Sequence, residues 1–360
     1  MATPTSTTAR WIIATCAGPD MRGIAGRAGR RFLSSLPALL GVLVFTFLLM
    51  RVLPGDPAIF FASGPNAGQA EIEDIRRRMG LDKPVPEQLL LYLRDVATGN
   101  LGRSMTTGQP VLNDLRGRLP ASLELTFCAL LIALVLAVPL GILAALRPGS
   151  LLDHGVRMLC TLGVCVPTFV SGLLLIYVLY YLLGIAPDPT GRIDIFASQP
   201  PTVTGFLLVD AALAGDWEAW WAAASQLVLP ACTMALFVLA PLARMTRASM
   251  LAVLTSDFVR TGEALGLSRR RVILVYALRN ALLPVITIMG IVFSTMLGAN
   301  VLVEKVFSWP GVASYALDAL LSSDYAPVQG FVLLMASIFV LVNLVVDLLY
   351  GLADPRVSIG

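Results

Sequence analysis

Six stretches of this chain contain no charged side chain: residues 32–50, 125–146, 158–187, 219–243, 280–303 and 325–346. They run from 19 to 30 residues, and no other uncharged run reaches 18. A bilayer core of about 30 Å takes about 20 apolar residues in a helix, so each stretch is long enough to cross one. The pattern predicts spanning helices over 32–53, 119–146, 156–183, 225–243, 281–303 and 329–350. The expected fold class is all-α, a polytopic bundle of six transmembrane helices.

Composition agrees. Hydrophobic residues make up 57% of the 360, charged residues 14%, and the mean hydropathy is +0.79. An ordinary globular chain carries about a quarter charged residues, so a soluble, nucleic-acid-binding or disulfide-rich secreted protein is excluded. The run from Phe32 to Met50 is too long for the apolar core of a signal peptide and lacks a small-residue cleavage site, so it reads as an uncleaved first helix. No role is assigned to residues 1–20, and Met21 is an alternative start. No internal repeat is visible.

Orientation follows from Lys and Arg in the connecting segments. With the N-terminus inside, the tail 1–31, the turn after the second helix, the loop 244–280 and the tail 351–360 account for fifteen of them. The later external loops, 184–224 and 304–328, carry one each, Arg192 and Lys305. The other nine are Arg51, at the outer end of the first predicted span, and eight from Arg76 to Arg118 in a long first external loop, 54–118, and long loops cross largely regardless of charge. Both termini are therefore expected in the cytoplasm. Trp217, Trp220 and Trp221 stand where an interfacial aromatic belt would place them.

The same inventory excludes chemistry. The only lysines, Lys83 and Lys305, follow Asp82 and Glu304, so neither completes a G-x-x-x-x-G-K-[ST] phosphate loop. The single histidine, His154, sits in a polar turn and reads as a surface residue. One histidine supports neither a zinc protease motif nor a well-placed Ser–His pair. Cys16, Cys128, Cys160, Cys165 and Cys232 match no redox or metal spacing and read as unpaired. No metal site or catalytic residue is expected, nor a nickel site.

Polar or helix-breaking residues within the apolar runs are candidates for a solute path: Pro167, Thr168 and Ser171 on the third, Thr233 on the fourth, Ser294 and Thr295 on the fifth, and Ser337 on the sixth. In lipid such hydroxyls more often bond their own backbone or a neighbouring helix. Pro139, Pro167 and Pro230 are expected to kink their helices or free carbonyls. Asn343 and Asp347 share a face but lie toward the cytoplasmic end. No carboxylate lies at mid-depth, which counts against proton coupling and hence against the alternative of a self-sufficient ion-coupled transporter.

The most informative segment is the cytoplasmic loop between the fourth and fifth helices. Residues 257–265 suit a short helix that Asp257 can cap, and Gly266 can supply the left-handed turn that ends it. Arg269, Arg270 and Arg271 then fall near a helix C-terminus and the headgroups. This stretch resembles the EAA coupling loop of ABC-importer permeases of the dipeptide/oligopeptide (peptide/nickel) family. The likeness extends to Arg-Val-Leu-Pro-Gly-Asp-Pro (51–57), Gly99 to Ser104, Arg118 to Leu125, Phe307 to Gly311, Asn343 to Tyr350 and Asp354 to Arg356. It departs at Glu263, which is nearer the glycine than the glutamate that names the motif.

The resemblance implies a type I importer architecture and alternating access. Arg260, Thr261, Gly262, Glu263, Ala264, Leu265 and Gly266, flanked by Arg269 to Arg271, would dock on a separate ATPase. ATP and Mg would bind there, and this chain would hold no cofactor. It further implies a second related permease subunit, two ATPase subunits or domains, and an external solute-binding protein seated on the first two external loops. Peptides or related small solutes would be carried across the bacterial inner membrane.

Overall fold

The computed structural model describes residues 21–52, 58, 68–78, 80–194 and 197–353. Within them the chain is helical, with no strand and one isolated bridge, between Arg103 and Pro110. The helices are α1 (Met21–Val52), α2 (Gln69–Arg78), α3 (Val85–Ala97), α4 (Val111–Leu146), α5 (Leu151–Cys165), α6 (Thr168–Leu175), α7 (Leu207–Ala214), α8 (Trp217–Leu254) and α9 (Asp257–Ala264). A turn at Arg269–Arg271 and a π-helical stretch, Val272–Ala277, lead into α10 (Leu278–Ala299). Then come α11 (Val301–Val306), α12 (Val312–Leu321) and α13 (Tyr325–Ala353).

Five of these helical runs are long and apolar enough to cross a membrane: α1, α4, α8, α10 with its lead-in, and α13. The run expected as a single span over 156–183 is instead α5 and α6, the latter continued by a π-helical stretch, Ile176–Leu182, with a bend of 103° at the Val166–Pro167 junction. Proline disfavours the helical region for the residue before it, and Val166 is accordingly extended (φ −87°, ψ 123°). Counting the bent pair as one gives six spans. Pro139 and Pro230, flagged alongside Pro167, lie inside α4 and α8, which continue through them.

The most buried span, α8, forms the centre of the bundle, with α4 packed along it and α5, α6 and α10 also against it. The α4–α8 contact is built from small side chains, Ala129, Ala133 and Ala137 meeting Ala231, Ala235 and Ala240 in one core. Small residues let helix backbones approach closely where lipid supplies no hydrophobic driving force. Closest is Gly141, where a Cβ would lie 2.6 Å from the Thr246 Cβ and 2.9 Å from the Ala243 carbonyl oxygen. On the outside, α13 packs against α1 and α10.

The segment between α1 and α4 forms a small helical cap. It carries α2 and α3, and α3 docks on the end of α1: the Arg51 guanidinium donates to the Gln88 Oε1 at 2.7 and 3.0 Å and covers the Phe47 ring, which stacks on Tyr92. His154 is exposed, and Cys128, Cys160, Cys165 and Cys232 are free thiols; Cys16 lies outside the described residues.

Candidate coupling and translocation sites

Helix α9 stands off one end of the bundle on one apolar anchor. Val259 is buried in a small core with Ile142 and Ala145 of α4, Met250 of α8, and Val272, Ala277 and Ala281 at the start of α10. This core is separate from the main one, so α9 rests on the ends of three long helices at once. Ser256, not Asp257, occupies the cap position; its hydroxyl donates back to the Val253 carbonyl, and Asp257 is the first helical residue, fully exposed. There its charge complements the helix dipole without closing a cap.

The C-terminus of α9 closes as a Schellman motif. The Leu267 N–H donates to the Gly262 carbonyl (3.2 Å) and the Gly266 N–H to the Glu263 carbonyl (2.9 Å), with Gly266 left-handed at φ +77°. Leu267 turns inward onto the small core and, with Val272, lies within contact range of a Cβ at Gly262. Arg260, Thr261, Glu263, Ala264 and Leu265 are exposed, and Gly262 is half-buried. Phe258, Leu265 and Tyr276, all exposed, line a depression of about 260 Å³.

Arg269, Arg270 and Arg271 depart from expectation. They form the first turn before the π-helical start of α10, not the end of α9, because Gly266 ends one helix and Ser268 (φ −61°, ψ 138°) begins the next. At a helix N-terminus the dipole does not favour them, so headgroups or an acidic partner are the remaining rationale for three exposed arginines.

Of the seven residues proposed for a solute path, four have hydroxyls bonded to their own helix. Thr233 donates to the Leu229 carbonyl (2.8 Å), Ser294 to Gly290 (3.1 Å), Thr295 to Val292 (2.8 Å) and Ser337 to Leu333 (2.8 Å). Pro167 and Ser171 flank the α5–α6 break. Thr168 lines a small cavity between helices, with Met234 and Phe237 of α8 and Met296 of α10, and Ser337 lines a separate one between α4 and α13.

Toward the N-terminal end of α4 the structure assembles polar clusters that no local pattern announces. The Glu304 carboxyl is fully buried, accepting from the Ser122 hydroxyl (2.6 Å) and the Ser314 N–H (2.7 Å). Burial pushes it up to about 6, against those hydrogen bonds, one from the Ala313 backbone, and the nearby Lys305 charge. The Trp309 indole N–H donates to the Ala121 carbonyl (2.9 Å), and the Val312 N–H to Ser122 Oγ (2.9 Å). Two residues on, buried Glu124 takes Arg192 of the second external loop (2.6 Å) and the Leu208 N–H (2.8 Å). Further out, buried Asp324 accepts from the Ser104 hydroxyl and from the Met105 and Thr106 N–H groups, tying the first loop to the α12–α13 junction. At the same end of the bundle as α9, Asp153 of α5 accepts from the Nε and a terminal N–H of the Arg247 guanidinium on α8 (2.6 and 2.8 Å). The motifs Arg118 to Leu125 and Phe307 to Gly311 thus meet in space, though over 180 residues separate Ser122 from Glu304.

A bundle of apolar helices tied together by the loops at one end, with a short helix standing off the other, has the form of a membrane-embedded transport subunit, and its likeness to known proteins gives that class. The chain belongs to the family described as "Binding-protein-dependent transport system inner membrane component", which matches residues 137–359, and the corresponding N-terminal family matches 28–126. It is 44% identical over 320 residues to the probable D,D-dipeptide transport system permease protein DdpB of Escherichia coli (strain K12), covering 89% of this chain and 94% of that protein. Against the di/tripeptide transport system permease protein DppB of Pseudomonas aeruginosa (strain UCBPP-PA14) the identity is 42%, over 91% of this chain and 97% of that protein. The dipeptide transport system permease protein DppB of E. coli K12 is 40% identical over the same shares. This chain is a multi-pass permease subunit of an ABC importer in the cytoplasmic membrane.

Proposed function

We propose that this permease carries peptides of two or three residues inward by alternating access. The observation that carries the substrate class is the identity of 40% or more, along about nine-tenths of the chain, to permeases named for dipeptide and di/tripeptide transport. Helix α9 is the coupling helix in this reading. Its residues Arg260 to Gly266, exposed except half-buried Gly262, enter with Phe258 a groove on a cytoplasmic ATPase, while Val259 passes the push to α4, α8 and α10. Arg269 to Arg271 flank that contact. ATP and Mg belong to the ATPase, and both termini of this chain face the cytoplasm.

The working complex pairs this chain with a second, related permease, two ATPase subunits or domains, and an external solute-binding protein that seats on the 54–118 and 184–224 loops. Gentle affinity purification of the tagged chain from its native membrane, followed by mass spectrometry, tests the assembly. A second six-helix permease and an ATPase are the expected companions. Recovery of the chain alone, from membranes that demonstrably contain those proteins, overturns the coupling assignment.

A further inference from the structure

Asn300 joins α10 to α11 and is almost completely buried. Its backbone carbonyl accepts from the Glu304 N–H (2.8 Å), and its side-chain Nδ2 donates to Thr126 Oγ1 on α4 (3.0 Å). Its side-chain oxygen has no partner. Buried polar atoms are nearly always hydrogen-bonded, so an orphaned acceptor calls for a reason. Asn300 lines the cavity already described with Thr168, Met234, Phe237, Met296 and Val303, about 10 Å³ in this conformation and so with room for about one water. With Nδ2 committed to α4, the oxygen is the atom left for the cavity.

The place matters as much as the atom. The cavity lies where α8, α10 and the start of α6 converge, immediately after the 103° break, and Phe237 on its rim is partly exposed. One turn along α6, Gly172 packs so closely that a Cβ would stand 3.2 Å from the Phe307 ring and 3.3 Å from Thr233. The junction is therefore shut on one side by tight packing and lined on the other by methionines. Unbranched thioether side chains adapt to varied shapes. A solute whose side chains vary but whose backbone does not would need such walls and one fixed polar contact.

We propose that Asn300 is a solute-contact residue on the translocation path, its free amide oxygen accepting a hydrogen bond from the backbone N–H of a passing peptide while Met234 and Met296 accommodate the side chains. This rests on the peptide reading above and adds where the permease touches its cargo. The water-sized gap is the closed form of the site; separation of α6 from α8 and α10 opens it.

The test uses the complete importer in proteoliposomes with saturating binding protein, measuring uptake per ATP hydrolysed for a dipeptide and for the same dipeptide methylated at its peptide nitrogen. Occupancy of the binding protein is matched between the two. Wild type should favour the parent by about tenfold, since a site built around a polar contact rejects the analogue that lacks it. Asn300→Leu should lose that preference. Thr126→Val, which removes the tie to α4 but keeps the oxygen, should retain it. Uptake by wild type without discrimination overturns the contact even if Asn300→Leu does not assemble, and so does discrimination preserved in Asn300→Leu. Loss of discrimination in Thr126→Val assigns the amide to bundle structure and overturns the contact as well. No dipeptide uptake by wild type at all overturns the substrate class itself, and the contact with it.

Discussion

Gly266 offers the sharpest test of how α9 is held. Its φ of +77° lies in the left-handed region, and no atom stands within 4 Å of where a Cβ would be. Any effect of substitution there is backbone strain and not collision. An L-residue pays about 1–2 kcal/mol in that region, while asparagine is one of the few that visits it routinely. A strain of 1.4 kcal/mol multiplies the frayed fraction of the helix end about tenfold, and the apparent affinity for a docking partner falls with the population competent to bind. The series Gly266→Asn, Gly266→Ala, Gly266→Val should therefore lose transport in that order, with β-branched valine worst. Gly262→Ala is the control: its Cβ would meet Leu267 and Val272 at 3.6 and 3.8 Å, ordinary contact, and little should change. The assay is solute uptake per ATP in the reconstituted complex, with correct insertion verified by accessibility labelling. Normal uptake in a correctly inserted Gly266→Val, or equal loss in the asparagine and valine variants, would refute the strain argument.

Three further outcomes follow from the polar clusters. Trp309→Phe keeps the buried ring but leaves the Ala121 carbonyl without its donor, and thermal unfolding in detergent should show a loss of about 1–3 kcal/mol. Glu304 should make the outer clasp more stable in acid. Its carboxyl is raised to about 6 in the fold from an ordinary value of 4.5, so its contribution is complete below pH 4.5 and is lost as pH rises through 6. That gap corresponds to about 2 kcal/mol, which should separate the melting profiles of wild type and Glu304→Gln across this window; parallel profiles would contradict the burial argument. For the Asp153–Arg247 pair, Asp153→Ala should lower the melting temperature more than the double change Asp153→Leu with Arg247→Met, because removing one partner strands the other. A larger fall in the double variant would count against it.

The bundle was legible in the sequence because lipid imposes a simple rule. An apolar run of about 20 residues must be helical to satisfy its own backbone, so the uncharged stretches announced the spans. The break in the third was half legible: Pro167 marked the place, but a proline inside a helix can be tolerated, as Pro139 and Pro230 are, and only neighbouring packing decides between kink and rupture. At α9, Gly266 foretold the left-handed turn, whereas the cap fell one residue earlier than Asp257, within the range where local signals do not discriminate. The outer clusters were illegible for another reason. Ser122, Glu124, Arg192 and Glu304 are ordinary loop-edge residues in one dimension, and only the fold brings partners 68 and 182 positions apart together. Asn300 lay inside the fifth expected span, 281–303, and was not singled out, though an amide near the end of an apolar run was the available signal.

Ser122 and Glu124 sit two positions apart on α4, about 200° around its axis, and each grips a different external loop. The outer turn of this helix therefore acts as a shared axle: a rotation there drags both loops in the same stroke, and neither can be repositioned alone. For anyone building chimaeras between related permeases, the unit of exchange is then not a loop. Transplanting residues 184–218 without the partner glutamate would strand Arg192 against a foreign helix, and transplanting the Trp309 turn without Ser122 would leave a buried carboxylate with one donor fewer. The smallest portable piece of this outer surface is the two loops together with the stretch of α4 between them.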